Sequence, residues 1–223
     1  QTALKTKARS CDEPIYQTWQ VQQNQSACRE QRQNQRQAED QLQEIREGTI
    51  ATYAILVRDH SDFPRMDEVL FALAFGLEEL RQQERAREFY YRLIKGYPQS
   101  KFVPNAFLSF AEYYFNEEQD MAAALEFYER VLQFPPERNA VYGYALYKSA
   151  WAHYNNDDFR RSLEAFVRTI EFATQNPEAT DAGNLARQAR RELVIPYAMV
   201  GTPTQAYDFF KRYAVDEPQA QDM

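Results

Sequence analysis

The chain has 223 residues, 44% of them apolar and 26% charged, with a formal net charge of −7. That apolar share supports a buried core in one or two domains and excludes a chain disordered throughout. Acids and bases interleave without the basic stripe that neutralises phosphates, which excludes a nucleic-acid reader, and 6 glycines are too few for the tight turns of an all-β fold.

The first residues carry no initiator Met and no apolar signal core, as in a mature or trimmed chain. Cys11 and Cys28 read as two unpaired thiols or, less blandly, as a disulfide of an oxidising compartment. On one unbroken helix they would lie about 25 Å apart, beyond bonding reach, so pairing needs a hairpin near Pro14. A lipid-anchored Cys11 is disfavoured because Ala8-Arg9-Ser10 lacks the apolar residue of a lipobox. From Gln17 to Gln43 eleven residues are Gln. Trp19, Val21, Ala27, Ala38 and Leu42 are too sparse for a heptad seam. Residues 1–37 are therefore expected to be a polar segment, helical or partly disordered, with a polar oligomerising coiled coil as the alternative. From Ala38 the pattern improves through Leu42, Ile45, Ile50, Tyr53, Leu56 and Val57, and a leading helix is expected there.

Beyond it the chain repeats itself. Ala86-Arg-Glu-Phe-Tyr-Tyr-Arg-Leu-Ile recurs as Ala124-Leu-Glu-Phe-Tyr-Glu-Arg-Val-Leu and as Ser162-Leu-Glu-Ala-Phe-Val-Arg-Thr-Ile, each 38 residues after the last. A fourth copy, Ala206-Tyr-Asp-Phe-Phe-Lys-Arg-Tyr, follows 44 residues later, the surplus lying in Gln175-Asn-Pro-Glu-Ala-Thr-Asp. A degenerate copy precedes them at Tyr53-Ala-Ile-Leu-Val. Each unit reads as two helices around a polar turn such as Asn155-Asn-Asp-Asp, the second stopped by Tyr97-Pro98 or Phe134-Pro135.

This pattern resembles the tetratricopeptide repeat family. Small residues stand where paired helices approach closely: Ala74 with Ala86, Ala111 with Ala124, Ala150 with Ser162. The second copy fits after a one-residue insertion, and the fourth supplies Leu193, Tyr197, Gly201, Ala206 and Phe210. The resemblance implies an all-α fold, a right-handed superhelix of antiparallel helix pairs over residues 38–216, with a polar tail at 217–223. Tyr97-Pro-Gln-Ser-Lys-Phe-Val-Pro-Asn-Ala, with Asp67 and Asn105 opening the next helices, is similar to tetratricopeptide proteins of the bacterial cell envelope: the outer-membrane assembly lipoprotein, the Tol-associated periplasmic coordinator, and gliding-motility proteins.

Little in the chain points to chemistry. His60 and His153 lie in different repeats without metal-ligand spacing. His153, where the family usually has Tyr, reads as a buried structural residue, and His60 as a helix-end residue. Glu78-Glu79, Glu117-Glu118 and Asp157-Asp158 read as caps or solvated turns, and Arg187 to Arg191 as a solvated helix face. No phosphate loop or nucleophile elbow occurs. An enzyme is not expected, nor any catalytic residue, cofactor, metal or membrane span.

The resemblance implies instead a concave groove lined by the first helix of each pair: Phe71, Phe75, Leu108, Glu112, Phe115, Asn116, Tyr144, Tyr147, Trp151, Tyr154 and Asn155. Aromatic rings with polar handles make binding hot spots. The expected function is a non-enzymatic scaffold or adaptor that holds a partner peptide or helix there, with Trp151 and Tyr147 as anchors and Asn116 and Asn155 bonding the partner backbone. The rival is that the rings fill the groove themselves. Partners are expected to be protein subunits of an envelope or motility assembly, in the periplasm or at the outer membrane, with the cytoplasm as the alternative. A second functional reading is an oligomerising structural subunit that self-associates through the N-terminal segment and outer faces.

Overall fold

Gln20–Asp59 form one 40-residue helix, α1. The computed structural model describes the backbone of residues 20–222 and the side chains of 28–221. The described residues are helical without strands and fall into two compact units that divide between Arg81 and Gln82.

In the first unit α1 packs against α2, Met66–Glu79. The leading part of α1 is solvated, and side-chain bonds such as Gln35 to Glu39 and Gln43 to Glu47 support it one turn apart. Apolar burial starts at Ile50 and continues at Val57, whereas Ile45 is 66% exposed. Gly76 makes the close approach feasible, because a Cβ there would sit 3.0 Å from the Ile50 side chain. Cys28 is disulfide-bonded, and no described cysteine is free. This corrects the blander expectation of two unpaired thiols. The distance argument against pairing assumed one helix through both cysteines, and α1 is described only from Gln20; Cys11 lies outside the described residues.

The second unit is a succession of helix pairs: α3 (Gln83–Gly96), α4 (Val103–Tyr113), α5 (Met121–Leu132), α6 (Tyr142–Asn155), α7 (Phe159–Gln175) and α8 (Ala182–Glu192), each packed on the next. The shorter α9 (Val194–Val200), α10 (Ala206–Tyr213) and α11 (Glu217–Asp222) close it. Helix starts follow from side-chain caps: Asp120 accepts from the Ala123 amide at 3.0 Å, and Asp158 from the Arg161 amide at 3.2 Å. Helix ends fall before Pro98 and Pro135, as expected. After Pro135 the buried Asn139 side chain donates to the Val131 carbonyl at 2.8 Å, beside the Phe134 amide at 3.2 Å, and so stands in for the amide that Pro135 lacks.

Ala86, Ala111, Ala124, Ala150 and Ser162 are fully buried, so their small side chains set helix spacing. The insertion in the second repeat takes the form of a π turn, Tyr114–Glu118, which runs on from α4. Ala111 is eight residues from the turn residue Gln119, while Ala74 and Ala150 are seven from Arg81 and Asp157. The wider turn absorbs the extra residue before α5 begins.

Arg81, Gln119 and Asp157 share that turn position and a left-handed backbone, with φ of 61°, 54° and 57°. A Cβ is unfavourable in that region, and glycine is the usual residue there. Gln119→Gly is therefore expected to stabilise the protein by about 0.5–1 kcal/mol, read as a higher urea midpoint at constant m-value. An unchanged or lowered midpoint would count against the strain.

The fourth copy differs from the pattern. Its first helix starts at Ala182 and is broken at Leu193, four residues after Ala189 and three before Pro196. Pro196 has no amide to bond the Glu192 carbonyl, which accounts for the break. Tyr197 stands where other copies have a small residue, and its ring lies over Gly201, where a Cβ would be 2.3 Å away. Its hydroxyl donates to the Thr202 carbonyl at 3.0 Å. The segment read as a polar tail is largely helical, and Ala220 within it is buried.

Candidate functional site

In the first unit, Phe71 and Phe75 sit one turn apart on α2 with stacked rings, centroids 6.2 Å apart, and Phe75 is 51% exposed. The other nine groove candidates lie on α4, its π turn and α6, in the second unit.

On α4 the key side chain is Glu112. One of its oxygens accepts from the Tyr128 hydroxyl of α5 at 2.5 Å; the other lies 3.3 Å from Lys148 Nζ and 3.5 Å from the Tyr144 hydroxyl, both on α6. Asn116 donates to the Glu112 backbone carbonyl at 2.9 Å. Lys148 Nζ also stands 4.0 Å from the Phe115 ring centroid, a cation–π contact. The faces of α4 and α6 are thus joined through one carboxylate, with Leu108 and Phe115 half-buried and Tyr144 exposed beside it.

On α6 a second carboxylate acts in the same way. Glu192 accepts from the Tyr147 hydroxyl at 2.7 Å and from Trp151 Nε1 at 2.9 Å, linking α6 to the end of α8. The Trp151 ring meets Phe166 edge-on at 5.5 Å and Tyr154 at 5.7 Å. Asn155, the last residue of α6, is exposed. The polar handles of Tyr147 and Trp151 are therefore engaged within the chain, while their ring faces remain partly exposed. Lys148 and Glu192 complete these contacts and were not singled out in the sequence, while Tyr128 was read there as a repeat-pattern residue beside Ala124. Glu192 falls 41 residues after Trp151, and no local pattern marks that pairing.

Burial, reinforced by Glu112, pushes the Tyr128 phenol far above its ordinary pKa and the Tyr144 phenol up to about 12; burial and Glu192 raise Tyr147 too. These hydroxyls stay protonated donors at neutral pH and suit hydrogen bonding rather than proton transfer. Among the described residues no cluster of His, Cys, Asp or Glu is arranged to hold a metal, and no helix is long and apolar enough to cross a membrane.

Residues 68–100, spanning α2 and α3, match the tetratricopeptide repeat family model. The match shows one tetratricopeptide repeat in the chain, over those residues. The chain is similar to a crystal structure of nearly identical TPR-like repeats from a Podosopora anserina protein described as a kinesin light chain. The likeness has a TM-score of 0.55 at 17% identity, covers 85% of this chain and 93% of that one, and concerns the fold. No curated protein matches the sequence. Tetratricopeptide repeats are protein-interaction modules, and proteins built from them are typically scaffolds rather than enzymes.

In this repeat protein His153 takes a tyrosine's usual place. It is half-buried, and its Nδ1 has no hydrogen-bond partner. Burial lowers its pKa below the ordinary value, against the opposing pull of Asp158. The folded state then binds protons less readily than the unfolded chain, so the contribution is present above the unfolded pKa of about 6.5 and is lost as pH falls through the folded value. Thermal unfolding is expected to show stability decreasing from pH 7 to pH 5, and His153→Phe is expected to flatten that slope. An identical slope in the variant would assign the pH dependence elsewhere.

Proposed function

We propose that this tetratricopeptide protein is a non-enzymatic scaffold that docks a segment of a partner protein on the joined faces of α4 and α6. The observation that carries the reading is the combination of exposure and fixation: Phe115, Tyr144, Tyr147, Trp151 and Tyr154 keep solvent-facing ring surface while Glu112 and Glu192 hold three of them in place. Rings already ordered lose little rotamer freedom on binding, so their apolar area converts efficiently into affinity. A photo-crosslinking amino acid at position 144 is expected to capture partners in the native cell, and the same group at Arg160, exposed on α7, is not. Equal capture from both positions would defeat the assignment.

A bacterial envelope or motility assembly is the setting proposed for this scaffold. The Tyr97–Ala106 run supports it through its likeness to envelope proteins, and the disulfide at Cys28 supports an oxidising compartment. Protein recovered from cells with thiols trapped at lysis is expected to change gel mobility on reduction. A second reading, self-association through the N-terminal helix, draws on the exposed Ile45 and Ile55 of α1. Deleting residues 1–37, and separately replacing Ile45 and Ile55 with Glu, while measuring mass in solution separates the two.

A further inference from the structure

The second unit carries a basic recess in a chain whose formal net charge is −7. It has a volume of about 780 Å³ and is lined by Asn184, Arg187, Arg190, Arg191, Ile195 and Gln219, among others. A second hollow shares Asn184, Arg187, Arg190 and Gln219 and extends the first toward Val215. The three arginines come from α8 and the glutamine from α11, so the recess has walls on two sides.

The charges in it are incompletely balanced. Arg187 contacts the Asn184 side-chain oxygen, and Arg190 Nε donates to the Tyr213 carbonyl at 2.7 Å; both partners are neutral. Burial lowers the Arg190 pKa with no carboxylate opposing it. Arg191 approaches one oxygen of Glu192 at 3.4 Å, but the other oxygen of that carboxylate is turned to Tyr147 and Trp151. Asp181, which lines the second hollow, accepts from the Asn184 amide. Each guanidinium has five N–H donors, so most remain available.

Apolar surface continues the same strip. Ile195 is 41% exposed, Met199 57% and Val200 41%. Residues 187, 191, 195 and 199 are spaced four apart along α8 and α9, so two cations are followed by two large apolar side chains. The break at Leu193 lies between the pairs.

We infer that this strip and its recess bind an acidic, amphipathic segment of a partner protein, with carboxylates on Arg187 and Arg191 and apolar side chains on Ile195 and Met199. Charge complementarity and the order of the two chemistries along the strip select that occupant. A fork-shaped guanidinium pairs with a carboxylate through two parallel hydrogen bonds. Carboxylates one helical turn apart in the ligand match the roughly 6 Å rise between residues four apart on α8. A lipid surface, which basic and apolar residues on one helix face can also attract, fits poorly, since a bilayer cannot enter a recess walled by a second helix.

The test uses the whole chain and a fluorescein-labelled helical peptide of Ala and Gln that carries Glu at its positions 1 and 5 and Leu at its positions 9 and 13, followed by polarisation. The expected result is saturable binding weakened about tenfold or more by Arg187→Glu, abolished in the Gln-for-Glu peptide, and reduced by added salt. Arg187 is exposed, so the variant is expected to keep its helical content and melting temperature; Ile195→Ser, a second variant, is expected to weaken binding without altering the salt dependence. Absence of binding, binding indifferent to both substitutions, or co-sedimentation with phosphatidylserine vesicles that Arg187→Glu abolishes would each overturn the inference. Since position 144 reports on the aromatic faces and position 187 on the recess, failure of one leaves the other standing.

Discussion

Phe166→Ala is expected to lower the stability of the second unit by about 3–5 kcal/mol. Phe166 is fully buried among Ala150, Ile170, Leu193 and Tyr197, which come from α6, α7, the break after α8, and α9. Its ring also meets Tyr147 at 6.0 Å and Trp151 at 5.5 Å, both edge-on. Alanine would leave a cavity that helices spaced by alanine contacts cannot collapse to fill, since their backbones are already close. The loss is read in urea unfolding as a drop in midpoint. Phe166→Leu keeps most of the volume and should cost less than half as much. A loss below about 1 kcal/mol for the alanine variant would show that this core relaxes, contrary to the packing described.

Glu112→Ala is expected to cost about 2–3 kcal/mol, more than an exposed ion pair is worth. Lys148 and Glu112 side chains are 14% and 27% exposed, so water replaces the lost carboxylate poorly. Removing it strands the Tyr128 hydroxyl in a buried site and leaves Lys148 with only the Phe115 ring. Tyr128→Phe in the same background should recover part of the loss, because the stranded donor is then gone. Equal stability of Glu112→Ala and the parent in urea would remove Glu112 as a structural tie and restore it as a side chain free to meet a partner.

The sequence made some of this legible and concealed the rest for physical reasons. The 38-residue recurrence of Ala86, Ala124 and Ser162 predicted the second helices, because close packing allows few residue types at a contact point. Pro98 and Pro135 marked helix ends through a local steric rule that needs no tertiary context. The aromatic faces were visible by register, yet their fixation was not. Glu112 reaches partners 16 and 36 residues away, and Glu192 reaches back 41 and 45, distances with no periodic signature. The arginines from 187 to 191 read as a solvated face, and Arg187 and Arg191 are exposed, but one helix considered alone does not show its neighbour. The second wall, at Gln219, belongs to a segment read as a tail.

The π turn at Tyr114–Glu118 has a bearing on how such an array keeps its period. One residue has entered the second repeat, and the left-handed position at Gln119 still falls 38 residues from Arg81 and from Asp157. Ala86 and Ala111 are 25 residues apart where Ala124 and Ala150 are 26 apart, so one residue fewer before α4 offsets the one added in the turn. The period of the array is thus kept by two neighbouring joints of complementary length, one short and one long, rather than by each joint being the same.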